Sequence, residues 1–229
     1  MGYVLHNRLG SGGFVVEAML ELAGLDYVYE PIQSKPNTPI MPHIEHLNRW
    51  GQVPVLETAD GKVLTEVAAI ICYLAQQEEA CADGPHLWLN DYAACLRWSV
   101  FMSVNIYEGI LRQTYPHRYF DSEAVVDPAV KASMVRSVEI SAEKRVHQAF
   151  LLLEEVIDDG GFLFGPKMSA CDVYLAMLYS WHEKRPILSK CGEITRRVAT
   201  HRLIQPLWVR NFGDDPGEKW HESGRLWSD

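Results

Sequence analysis

The 229 residues, 48% apolar and 22% charged, suffice for one large domain or two smaller ones with proper cores, and this composition excludes the disordered and fibrous classes. A formal charge of −9 argues against nucleic acid or an anionic membrane as partner. No apolar run approaches the roughly 18 to 20 residues that span a bilayer, and Arg8 with the glycines after it interrupts any signal-peptide core, so a soluble, cytoplasmic protein is expected. The five cysteines (72, 81, 95, 171 and 191) follow no zinc or CxxC spacing and read as reduced, mostly buried thiols.

Tyr3 to His6 reads as a short strand, and Asn7-Arg8-Leu9-Gly10-Ser11-Gly12-Gly13 as a loop leading into a helix. That helix carries Phe14, Val15, Ala18, Met19 and Leu22 on one face of a 3.6-residue period, and Gly24 stops it. Tyr27 to Ile32 is a second strand, so the opening is β-α-β with a parallel pair. A polar passage broken by Pro36, Pro39 and Pro42 follows, then a short helix holding Ile44 and Leu47.

Asn48 to Leu74 reads as strand, tight hairpin, strand and helix. Val53, Val55 and Leu56 pair with Val63 and Leu64 across Asp60-Gly61, which supplies the φ > 0 positions a tight turn needs. Thr65 is expected to cap the helix, with Glu66 in its first turn and an apolar, buried body from Ala68 to Leu74. Two residues do not follow from making a hairpin: Pro54 inside the first strand, and the polar Gln52 ahead of it.

Gln76 to His86 is polar, ends in Asp83-Gly84-Pro85, and reads as a linker between residues 1–80 and 87–229. Helices are expected beyond it. Leu87 to Thr114 forms an aromatic-rich helical region that Pro116 ends; Val135, Val138, Ala142, Val146, Ala149, Leu153 and Val156 mark the stripe of a bundle helix ended by Gly160-Gly161. Ser169-Ala170-Cys171-Asp172 is a capping box, with Met168 and Val173 placed as a hydrophobic staple, and opens an apolar, central helix running to Trp181. Beyond Pro206, the tail FGDDPGEKWHESGRLWSD lacks periodicity and is expected to be a surface extension.

A β-α-β/β-β-α unit joined to helices, carrying NRWGQVPVLE, DGKVLTEVAAIICYL, LELAGLDYVYE and GPKMSACDVYLA in this order, resembles the glutathione S-transferases over nearly the whole chain. The resemblance implies an α/β thioredoxin-like N-terminal domain followed by an all-α C-terminal domain. It also implies a bacterial or theta-like, serine-type transferase, homodimeric, with glutathione as co-substrate, no metal, and a small apolar electrophile as second substrate. Under it Val53 pairs its backbone with the glutathione peptide beside a cis Pro54, Gln52 reaches the glycyl carboxylate, and Glu66 faces the γ-glutamyl amine. Position 67, where the family usually has serine for the γ-glutamyl carboxylate, is valine here. Losing a charge-assisted hydrogen bond of roughly 1.5 to 3 kcal/mol would weaken binding more than tenfold. The second substrate is expected near Leu9, Tyr107, Arg112 and Tyr115.

Catalysis needs the thiolate, and a thiol of pKa near 8.5 is only a few per cent ionised at neutral pH. Ser11, a hydroxyl donor ahead of the first helix among glycines, is the expected stabiliser of the anion; in the alternative it is a plain helix cap. Aligned on LAGL, serine-type members place their serine at Gly10 and cysteine-type members their cysteine at Gly12. The same resemblance leaves room for a non-catalytic binding or interaction protein with weak or absent glutathione binding. Two other patterns carry less: Gly10-x-Gly12 with Glu30 lacks the third glycine of a dinucleotide site, Val15 standing there, and His43 with His46 has no third ligand.

Overall fold

The computed structural model describes residues 2–32, 44–77, 92–157, 161–182 and 189–213. Four strands form one mixed sheet: β1 (Tyr3–Asn7), β2 (Tyr27–Pro31), β3 (Val55–Glu57) and β4 (Val63–Leu64), in the order β2-β1-β3-β4. β1 runs parallel to β2 with Tyr3 opposite Tyr27, as the intervening helix α1 (Gly13–Ala23) requires, and antiparallel to β3 with Leu5 opposite Leu56. The β3-β4 hairpin turns where expected, with Gly61 at φ +82° and the Gly61 N–H donating to the Thr58 carbonyl. Helix α2 (Val67–Gln77) follows, which completes the β-α-β/β-β-α order.

Four local expectations need correction. Ile44 and Leu47 lie in a single turn closed on the Ile44 carbonyl by the Leu47 and Asn48 N–H groups, too short to propagate as a helix. Thr65 does not cap α2; the Glu66 carbonyl accepts the first helical bond, from Ile70, so Glu66 occupies the N-cap position. α2 buries one face, Val67, Ile70, Ile71 and Leu74, while Ala69 on the other is exposed. Helix α1 is buried on all sides except Glu21, because helices of the C-terminal region cover the face turned away from the sheet.

Those helices are α3 (Tyr92–Met102), α4 (Glu108–Thr114), α5 (Pro128–Val156), α6 (Ala170–Ser180), α7 (Ser189–Ala199) and α8 (Gln205–Phe212). The Asp127 carboxylate caps α5 by accepting from Ala129 and Val130. Its stripe is buried from Ala142 to Leu153, while Val156 reaches the surface. α6 is wholly buried, and its capping box forms as read. The Asp172 carboxylate accepts the Ser169 N–H at 2.7 Å, the Ser169 hydroxyl at 2.6 Å and the Leu163 N–H at 2.7 Å.

α8 departs most from the sequence reading. Pro206 stands in its first turn, where no N–H is needed, and so begins a helix instead of preceding a loose tail. Trp208 and Phe212 pack edge-on against Phe14 of α1 at 5.5 and 4.8 Å between ring centres. The remainder of the tail, 214–229, lies outside the described residues, as do Gly160, Cys81, His43, residues 78–86 of the expected linker and residues 87–91 at the start of the expected helical region. Cys72, Cys95, Cys171 and Cys191 are free thiols.

α3 and α4 are joined without a break by a π-helical turn, Ser103–Tyr107, closed by the Glu108 N–H on the Ser103 carbonyl. A π turn leaves a carbonyl without its α-helical donor. The Asn105 side-chain amide donates to the Phe101 carbonyl at 3.0 Å, and Arg145 of α5 holds the Asn105 oxygen at 2.8 Å. This inserted turn aims Ser103 and Tyr107 toward the N-terminal domain.

Candidate functional site

A cleft of about 260 Å3 opens where the β3 end of the sheet and the start of α2 face the α3-π-α4 helix. Gln52, Val53, Pro54, Glu66 and Val67 line its N-terminal side, and Ser103, Tyr107, Leu111 and Tyr174 close it from the helical side. Five of the sequence-predicted residues are thus brought together from two segments, and Tyr107 joins them from a third.

Each has a local cause. The Asn48 side chain organises the loop before Val53, its amide donating to the Gln52 carbonyl at 2.9 Å and its oxygen accepting the Trp50 N–H at 3.0 Å, while Gly51 takes φ +67°. The Val53–Pro54 peptide bond is cis. Glu66, at φ +66°, is the only non-glycine residue in the left-handed region among the described residues. Such a backbone costs on the order of 1 kcal/mol or more and marks sites where position matters more than stability. It leaves the Glu66 side chain exposed at the cleft beside the first N–H groups of α2. Val67, 8% exposed, presents a hydrocarbon wall where a serine would present a hydroxyl.

Ser11 is placed differently. Its hydroxyl is buried within the loop, where its single proton has two acceptors, Asn7 Oδ1 and the Arg8 carbonyl, each 2.7 Å away, and it is not among the cleft-lining groups. The N-cap position falls on Gly12, while the Ser11 hydroxyl oxygen accepts the N–H of Gly13, the first residue of α1, at 3.4 Å. Of the residues expected near the second substrate, Leu9 is exposed outside the cleft lining. Arg112 pairs with Glu108 at 3.5 Å and lies over the Tyr119 ring, and Tyr115 is stacked under Arg118 at 4.0 Å.

Three positioning groups escaped the sequence reading. Asn7, fully buried at the end of β1, receives Ser11, and its side chain occupies the space a Cβ at Gly13 would need. Asn211 of α8 accepts the Gly10 N–H at 2.9 Å, fixing the loop from the far end of the chain. Asn48 orders the approach to Pro54. An asparagine before a glycine turn is a legible signal for Asn48; nothing in sequence links Asn211 to Gly10.

Among the described residues, no group of three or more His, Cys, Asp or Glu could hold a metal ion, and no helix is long and apolar enough to cross a membrane. Residues 15–77 match the family described as glutathione S-transferase, N-terminal domain. A search of curated proteins by sequence finds no match. Solved structures with the same architecture include a glutathione transferase homologue from Sulfitobacter with bound glutathione, 16% identical with a TM-score of 0.71, covering 90% of this chain and 96% of that one. A glutathione S-transferase from Xylella fastidiosa is 19% identical, with a TM-score of 0.71 over 90% and 97% of the two chains. Ure2p in complex with glutathione is 17% identical, with a TM-score of 0.71 over 90% and 98%. The match to that N-terminal domain family spans residues 15–77, and over the described residues the chain has the fold of these solved transferase structures.

Proposed function

We propose that this protein is a cytoplasmic, homodimeric glutathione transferase of detoxifying type, which binds glutathione on residues 1–80 and conjugates its sulfur to a small apolar electrophile. The observation that carries the reading is the convergence of Gln52, Val53, Pro54, Glu66 and Val67 on one cleft at the N-terminus of α2. Backbone groups of Val53 receive the peptide, Gln52 and the α2 N–H groups the carboxylates, and Glu66 the amine. The Sulfitobacter homologue, whose structure holds glutathione, supports the ligand class.

A second reading, a glutathione-fold binding protein without catalysis, is favoured by Val67 and by the inward-turned Ser11 hydroxyl. Calorimetric titration with glutathione and a conjugation assay with chlorodinitrobenzene separate the two. Conjugation above the buffer rate supports the transferase; binding without conjugation supports the second reading. Absence of heat up to millimolar glutathione would likewise favour the second reading over the transferase.

A further inference from the structure

The β1-α1 loop offers the cleft no hydroxyl of its own, because the Ser11 proton is directed to Asn7 or the Arg8 carbonyl. The space in front of Gly12 is nonetheless filled. A Cβ at position 12 would lie 3.1 Å from the Tyr107 hydroxyl oxygen and 2.8 Å from Val67 Cγ2, so a phenol from the helical domain and the first residue of α2 meet over this glycine. The Gly12 backbone lies against the Tyr107 hydroxyl and acts to lower its pKa, against the larger opposite effect of burial. Tyr107 lines the cleft, and a protonated phenol has one O–H to donate to an acceptor there.

The ring is held firmly. Trp181 meets it edge-on at 5.4 Å, and Tyr174, whose hydroxyl lies 3.0 Å from Ser103 Oγ, flanks it at 6.5 Å. Burial pushes the Tyr107 phenol up to about 12, so it stays protonated at neutral pH and acts as a donor, not a base. The Arg8 guanidinium is close enough to act on it electrostatically, adding a positive field at the same end of α1.

We propose that the Tyr107 hydroxyl, brought over Gly12 by the π turn, is the hydrogen-bond donor to the glutathione sulfur in the cleft. The assignment rests on the transferase reading above and adds to it the group that ionises the thiol. On binding, the thiol proton passes to water, and the thiolate accepts the Tyr107 O–H. Attack on an aryl chloride then forms the sulfur–carbon bond, breaks the carbon–chlorine bond and releases chloride, while Tyr107 keeps its proton throughout. The charge-assisted bond favours the anion in the complex over the thiol in water.

The test titrates the thiolate absorbance of bound glutathione against pH in the wild-type chain and in Tyr107→Phe, with glutathione affinity measured by calorimetry in parallel. The expected result is a bound-thiol pKa raised by about one to two units, kcat/KM for chlorodinitrobenzene at neutral pH reduced about 10- to 100-fold, and a glutathione Kd changed less than about threefold. Should loss of the Gly12 contact unfold Tyr107→Phe, a fluorotyrosine placed at position 107 serves instead: its more acidic phenol is expected to lower the bound-thiol pKa. An unchanged thiol pKa in a Tyr107→Phe protein that still binds and conjugates overturns this inference and leaves the transferase reading standing. A slower rate at unchanged thiol pKa overturns it too, assigning Tyr107 to the second substrate. A wild-type chain that binds no glutathione overturns both.

Discussion

Val67→Ser asks whether the valine limits glutathione affinity. Val67 is the first residue of α2, is 8% exposed and forms part of the cleft wall beside Glu66. A serine there adds one donor to the backbone N–H groups already facing an incoming carboxylate. A hydrogen bond to a charged group contributes roughly 1.5 to 3 kcal/mol, which corresponds to about a 10- to 150-fold tighter Kd. The same change removes apolar surface packed over Gly12 and costs about 1 to 2 kcal/mol of folding stability. The variant is thus expected to melt a few degrees lower and bind more tightly, a combination that general loosening does not produce. Calorimetric titration with glutathione reads the affinity and thermal unfolding the stability. Val67→Ala, which removes similar bulk without adding a donor, is expected to keep wild-type affinity. A Kd for Val67→Ser equal to or weaker than wild type, or an equal gain in Val67→Ala, would refute the reasoning.

Three further perturbations probe the framework around the cleft. Ser11→Ala deprives buried Asn7 of its donor and is expected to lower stability by about 1 to 2 kcal/mol in urea unfolding; a bound-thiol pKa raised as far as in Tyr107→Phe would instead put Ser11 at the sulfur. Arg210→Ala leaves the Glu17 carboxylate, 1% exposed on α1, with the Tyr27 hydroxyl donating to it at 3.0 Å, and since Arg210 is itself half exposed the expected cost is about 2 kcal/mol; a loss under about 0.5 kcal/mol would show that α8 is held by its aromatic contacts alone. Asp172 is raised by burial from 3.8 to about 6, so the folded protein holds its proton more tightly than the unfolded chain. Its contribution is present below about pH 4 and lost as pH rises through 6, and the stability of wild type minus that of Asp172→Asn is expected to fall on the order of 3 kcal/mol between pH 4 and 7. A difference that grows with pH would mean that the three hydrogen bonds outweigh desolvation.

The N-terminal topology was legible because its signals are local. Asp60-Gly61, Gly24 and the two alternating runs specify turns and strands within a few residues, and Ser169 with Asp172 specifies a helix start within one turn. Gln52 and Pro54 stood out locally as residues a hairpin does not need, while the grouping of both with Val53, Glu66 and Val67, which line one cleft, came from the family resemblance.

What tertiary structure decided involves partners far apart in the chain. The periodicity of α1 showed one apolar face, but Trp208 and Phe212 from α8 bury the other, and Asn211 secures Gly10 across 201 residues. Ser11 read as the catalytic hydroxyl, with a helix cap as the alternative, and the direction of its proton depended on where the end of β1 placed Asn7. Tyr107 was expected near the second substrate but not over Gly12, since helical spacing cannot report a π turn whose extra residue shifts every side chain after it. Sequence by itself determined most of the N-terminal elements, because those are short-range matters of turn chemistry and periodicity. Which hydroxyl enters the cleft was decided only when a helix from the second domain packed over a glycine in the first.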